Sequence, residues 1–184
     1  MEEKKYAVLI DGDNISSKYL DSILNEMTKY GIATYKRIYC DFTSQQSSKW
    51  RRLVRDSGIQ AMQQFANTVG KNATDSTLII DAMDILYTGN VDGFCIVSSD
   101  GDFTRLAIRL KESGMDVIGM GESKTPRSFR AACTVFTDLE ILYEAESEDD
   151  EISTKGKKPA VKHNVVKVSE IENVIICLLY TSDA

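Results

Sequence analysis

The side chains here whose types and spacing could do chemistry are the carboxylates of Asp11, Asp13, Asp75, Asp100 and Asp102, with Asn14 and Ser98 beside them. Four of the acids fall in two short clusters, Asp11-Gly-Asp13-Asn14 and Ser98-Ser99-Asp100-Gly-Asp102. Each cluster follows directly on an apolar run of strand length, Tyr6–Ile10 and Phe94–Val97. Such runs read as buried parallel strands, and open α/β sheets place their ligands beyond the carboxyl ends of the strands. Carboxylates gathered there repel one another unless a cation joins them. An all-oxygen pocket suits a hard divalent ion, Mg²⁺ or Mn²⁺. The chemistry such a set serves is metal-assisted attack on phosphate.

Other chemistries are excluded by count. The single histidine, His163, lies beyond an acidic run, so the region before it has no His-based triad, His general base or His-rich zinc site. No Gly-x-Gly-x-x-Gly follows the first strand, and no phosphate loop ends in Gly-Lys-Ser/Thr. Asp75 opens a helix, where a carboxylate is favoured by free amide groups and the helix dipole, so it reads either as a cap or as a ligand. Asp81, about 240° further round that helix, is placed to support the site or bond a neighbouring segment. The pair Asp11-Gly-Asp13 also suits a haloacid-dehalogenase-type phosphatase, with Asp11 as nucleophile.

Substrate capture needs positive charge. Lys49, Arg51, Arg52 and Arg55 share a short helix, where Trp50 either stacks a base or packs inward. Lys124, Arg127 and Arg130 follow the fifth strand and form a second candidate track for a phosphate backbone.

The elements that must position these residues follow from periodicity. Strands are expected at 5–11, 33–40, 59–64, 93–98, 115–119 and 133–137, with helices near 16–30, 47–57, 75–87, 102–112 and 126–132. Strand alternating with helix predicts an α/β fold with a mostly parallel sheet covered on both faces. The first and fourth strands should be neighbours at a switch point, so their carboxyl ends open into one crevice.

The 184 residues carry a net charge of −6. That charge is unevenly spread, because residues 1–143 hold nineteen acids and seventeen bases, and the rest is dominated by Glu144–Glu151. An anionic substrate is therefore compatible with the first part of the chain. The acidic run reads as a charged linker, 144–162, between a domain at 1–143 and the start of a second module at 163–184. The final Cys177–Ala184 resembles a translated sequencing adapter, the alternative being a frayed helix end. No apolar stretch approaches the roughly 20 residues needed to span a bilayer, and no signal-peptide pattern precedes the first strand, so a cytoplasmic location is expected. The cysteines Cys40, Cys95, Cys133 and Cys177 are dispersed and expected to be reduced.

Four segments in order carry a family resemblance: Ile10-Asp-Gly-Asp-Asn14, Lys71-x-x-x-Asp75-x-x-Leu78-x-x-Asp81, Val97-Ser-Ser-Asp-Gly-Asp-Phe103 and Gly119-Met-Gly-Glu-Ser-Lys-Thr-Pro-Arg-Ser-Phe-Arg-Ala131. Over residues 5–143 they resemble the NYN domain of the PIN-like nuclease superfamily. The resemblance implies a Rossmann-like three-layer fold and a Mg²⁺- or Mn²⁺-dependent ribonuclease, or else an RNA-binding regulator of weak activity. On that carry-over Asp11, Asp75 and Asp100 match the metal-binding acids, Asp102 the auxiliary acid, and Asn14 and Ser98 the ordering residues. Lys71 departs from the pattern, standing one residue further from Asp75 than in the tighter Lys-Gly-x-Asp. The segment from His163 resembles the opening of an OST-HTH (LOTUS) module, which implies RNA or a protein as a further partner.

Overall fold

The structure is a computed structural model that describes residues 3–45, 47–64 and 73–155. Lys71, His163, Cys177 and the segment compared with the OST-HTH module lie outside the described residues. The chain divides into two units, Met1–Asp149 and Asp150–Ala184, and the first contains the fold described below.

Six strands form one sheet: β1 (Lys5–Asp11), β2 (Ile32–Cys40), β3 (Gln60–Gln63), β4 (Gly93–Val97), β5 (Asp116–Gly121) and β6 (Val135–Asp138). Their order is β3-β2-β1-β4-β5-β6, and every neighbouring pair is parallel. The order reverses direction between β1 and β4, which pair from Tyr6↔Gly93 to Ile10↔Val97. That adjacency brings the two acidic clusters to the same end of the sheet. The expected α/β architecture is present, with a sheet that is parallel throughout.

A parallel sheet needs cover on both faces, and β1 shows how the sequence provides for it. Tyr6, Val8 and Ile10 point to one side, where they pack with residues of α1 (Leu20–Met27), Trp50 of α2 (Ser48–Ser57) and Leu139 of α6 (Leu139–Lys155). Ala7 and Leu9 point to the other side, against α3 (Ala73–Thr88), α4 (Thr104–Glu112) and α5 (Arg127–Ala132). The contiguous apolar run at β1 thus records two buried faces. Short 3₁₀ turns, Ser17–Tyr19 and Gly101–Phe103, lead into α1 and α4.

The acidic run 144–151 takes a regular secondary structure. It is helical, continuing α6 to Lys155. Glutamate is a good helix former, and the apolar residues Leu139 and Leu142 anchor the first turns to the sheet, so charge alone did not end the helix.

Candidate metal centre and neighbouring recess

The site is built on the ends of β1 and β4 and on the first turn of α3. Asp11, the last residue of β1, is fully buried. Its Oδ2 accepts 2.7 Å hydrogen bonds from the Ser98 hydroxyl and the Asn14 side-chain amide, and its Oδ1 accepts the Asn14 backbone N–H at 3.3 Å. Burial raises the Asp11 pKa above the ordinary carboxylate range, while those donors pull it back. Ser98, also fully buried, links the two clusters: its hydroxyl donates to Asp11 and its oxygen accepts the Asp100 N–H at 3.1 Å.

Asp100 caps the turn that follows, with one oxygen accepting the Asp102 N–H at 2.9 Å. Across from it stands Asp75, nearly buried at the start of α3. Its pKa is pushed up to about 6, first by burial and then by the charges of Asp11, Asp100, Asp102 and Asp13. Carboxylate oxygens of Asp75, Asp100 and Asp102 lie within 4.8 Å of one another. Three hard oxygen donors that converge make a donor set that fits a divalent ion.

This geometry adds Asp102 to the acids expected as ligands. The oxygens that converge belong to Asp75, Asp100 and Asp102, while Asp11 stands beside them, the first of the charges that raise Asp75, with its oxygens accepting from Ser98 and Asn14. The same burial leaves no exposed oxygen on Asp11 for attack on a substrate, so the structure does not support the phosphatase reading with Asp11 as nucleophile. Asp13 is exposed and accepts the Asp41 N–H at 3.3 Å. Asp81 lies apart from the cluster, where its carboxylate is paired with Arg37 and accepts the Tyr39 hydroxyl, fastening α3 to β2.

The basic candidates separate. Trp50 is 3% exposed, and its indole N–H donates to the Gly12 carbonyl at 3.0 Å. The base-stacking role is therefore corrected to a core role. Arg130 donates to the carbonyls of Glu122, Ser123 and Thr125, pairs with Asp138 at 3.2 Å and lies over the Phe136 ring. It clasps the loop after β5, which corrects its assignment to a phosphate track. Arg51 holds the Phe42 carbonyl at 2.5 Å. Arg52, Arg55 and Arg127 are exposed, and Lys124 pairs with Glu122 at 2.8 Å. Lys49 alone of these bases lines a recess of about 430 Å³, next to Gly12, Asp13, Asn14, Ile15, Ser16, Ser17 and Glu122.

Sequence reasoning missed Glu122, which lines that recess, and Lys18, which lies within electrostatic reach of Glu122. Glu122 lies inside the motif quoted above and could have been singled out; Lys18 carried no signal. It also missed Gly121, where an added Cβ would come within 2.6 Å of both the Ser98 carbonyl oxygen and the Thr125 hydroxyl. Glycine there lets β5 close against the end of β4, and the Ser99 hydroxyl completes the junction by accepting the Glu122 N–H at 2.9 Å.

Comparison with known proteins agrees with this architecture. The chain is 26% identical over 174 residues to an uncharacterized protein, MJ0482, of Methanocaldococcus jannaschii; the match takes in 91% of this chain and spans 66% of the relative's length. Among solved structures it is similar to a protein of unknown function, VPA0982, from Vibrio parahaemolyticus, with a TM-score of 0.62 and 18% identity over 75% of this chain and 96% of that one. At that identity the likeness concerns the fold. The NYN domain model matches residues 5–140. With that match spanning the sheet and the acidic cluster together, the chain belongs to the NYN domain family, a PIN-like nuclease family.

Proposed function

We propose that this domain is a divalent-metal-dependent ribonuclease in which Asp75, Asp100 and Asp102 hold Mg²⁺ or Mn²⁺ and the RNA phosphodiester is the bond cut. The observation that carries the reading is the approach of those three carboxylates to within 4.8 Å at the switch point of a parallel sheet. A bound divalent cation supplies Lewis acidity toward a phosphoryl oxygen and charge to offset the developing anion. The chain itself does the positioning. Ser98 ties Asp11 to the Asp100 backbone, so the ends of β1 and β4 are held as one unit. Asp102 fixes one Asp100 oxygen through its N–H and leaves the other for the cluster. Asp81 holds α3, and with it Asp75, against β2.

The test is a time course on single-stranded and duplex RNA with Mg²⁺, with Mn²⁺ and with chelator, using Asp100→Asn as control. Cleavage that needs the metal and is lost in the variant supports the proposal. Equal cleavage by the variant, after removal of contaminating nuclease, would count against it, and metal-independent binding without cleavage would mark an RNA-binding regulator instead.

A further inference from the structure

At the amino end of the strands, roughly 20 Å from Asp11 along β1 at the rise of a parallel strand, lies a second recess of about 600 Å³. It is larger than the recess beside Gly12 and shares no residue with the acid cluster. Its shape comes from a bulge. Tyr6 pairs with Ala33 and Ala7 with Tyr35, so Thr34 is one residue too many for the parallel ladder between β1 and β2. The extra residue reverses the phase of β2: Ala33 packs on the face of Tyr6 and Val8, whereas Tyr35 packs on the opposite face with Ala7 and Leu9. With the alternation broken, the consecutive residues Thr34 and Tyr35 both line the recess. The facing wall is the segment that follows α3, which begins at Gly89 with φ +67° and continues through Asn90 to Asp92. It is fastened to β1 in both directions. The Lys5 N–H donates to the Asp92 carboxylate at 2.7 Å, and the Asp92 N–H donates to the Lys5 carbonyl at 2.8 Å.

The lining combines an aromatic ring, cations, a carboxamide and carboxylates. The half-buried Tyr35 ring is steadied by the Arg37 guanidinium 5.2 Å from its centre, and Asp81 holds that guanidinium in turn. Of the two lysines in the wall, Lys4 is paired with Asp116 at 2.6 Å, whereas Lys5 has no ion pair among the described residues. Glu3 and Asp92 supply the opposing charge. A preformed recess of this size takes a drug-sized molecule that a few polar groups orient. We infer that it binds a free mononucleotide, with the phosphate at Lys5, the base against Tyr35 and the hydrogen-bonding edge of the base at Asn90 and Asp92. Tyrosine offers a base a stacking surface, and a lysine ammonium is a point charge suited to phosphate. The balance of the wall sets the number of phosphates. With Lys4 answered by Asp116, and with Glu3 and Asp92 both acidic, one phosphate is matched and further ones are opposed. This inference goes beyond the nuclease reading and does not rest on it.

The test is isothermal titration calorimetry of the whole chain in chelator with AMP, UMP, ATP and ribose 5-phosphate. AMP and UMP should each saturate one site, AMP the more tightly because its wider base covers more of Tyr35. ATP should bind more weakly than AMP, and ribose 5-phosphate, which has no base, more weakly still. K5Q should weaken AMP binding about tenfold, the worth of one charge-assisted hydrogen bond. N90A, at an exposed loop position, should weaken it by less and keeps the inference testable if K5Q disturbs the start of β1. D100N should bind AMP like the unaltered protein, which separates this recess from the acid cluster. Backbone amide shifts on adding AMP should centre on Thr34, Tyr35 and residues 89–92. Absence of saturable binding by both monophosphates, tighter binding of ATP, equal affinity for ribose 5-phosphate, or binding lost in D100N and kept in both K5Q and N90A would each overturn the inference.

Discussion

At the scale of single residues, the balance of charge at Asp75 sets how the metal-free protein responds to pH. The folded-state pKa of about 6 lies above the ordinary 3.8, so between those values the folded protein holds a proton that the unfolded chain has released. Stability then falls as pH rises through that window, and the penalty is complete above about pH 6. Burial of Asp11 acts in the same sense. Thermal melts of the chelated protein are expected to shift downward between pH 4 and 6, and Asp75→Asn should flatten that part of the profile. Asp100→Asn is expected to abolish RNA cleavage while leaving the fold intact, since removing one member of a like-charged cluster relieves repulsion. A drop in melting temperature in chelator would show that Asp100 stabilises more through its bond to the Asp102 N–H than it costs through charge.

At the scale of elements, α2 and α3 are placed by polar contacts that the sequence pattern alone does not reveal. Trp50 joins α2 to the turn after β1 through both packing and its bond to Gly12. Trp50→Ala should cost on the order of 3–5 kcal/mol, measured by denaturant unfolding. Asp81→Ala leaves Arg37 half-buried without its partner, and a loss of roughly 1–3 kcal/mol is expected, below the 3–5 typical of a fully buried pair. If Asp81 also positions Asp75, as its place on the same helix suggests, the variant should lose affinity for Mn²⁺, followed by calorimetry, and Asp81→Asn should restore part of it.

The strands were legible because parallel, doubly covered strands leave uninterrupted apolar runs, and the breaks at Gly31, Gly58, Gly89 and Gly114 all adopt positive φ in the structure. The site was legible as a set of acids but not in its allocation of oxygens. Which carboxylate faces inward depends on the Ser98 hydroxyl and the Asn14 amide, and Ser98 is 87 residues away from Asp11. The helix over the acidic run of α6 was not legible for the complementary reason: glutamate signals solvent and helix equally well, and the packing of Leu139 and Leu142 against the sheet favours the helix.

At the scale of the whole molecule, binding at the proposed metal centre should stabilise the sheet that builds it. A divalent ion that binds only the folded form adds about 2.7 kcal/mol at a hundred times its Kd, so Mn²⁺ should raise the melting temperature. In the doubly substituted Asp75→Asn, Asp100→Asn protein that rise should vanish, and a persistent rise would place the ion elsewhere.

The reversal of strand order between β1 and β4 also fixes when, in the life of a molecule, the acids first meet. During synthesis β1, β2 and β3 emerge in sequence and can pair as one half-sheet, while the other edge of β1 waits for β4. Until then Asp11 lacks Ser98, and Asp100 has not joined Asp75. The mutual repulsion that raises Asp75 is therefore imposed only as the two halves of the sheet close, when burial of Val8, Leu9, Ile96 and Val97 favours closure. The nascent half-sheet meets its hardest electrostatic demand last, with an open, apolar β1 edge exposed in the interval.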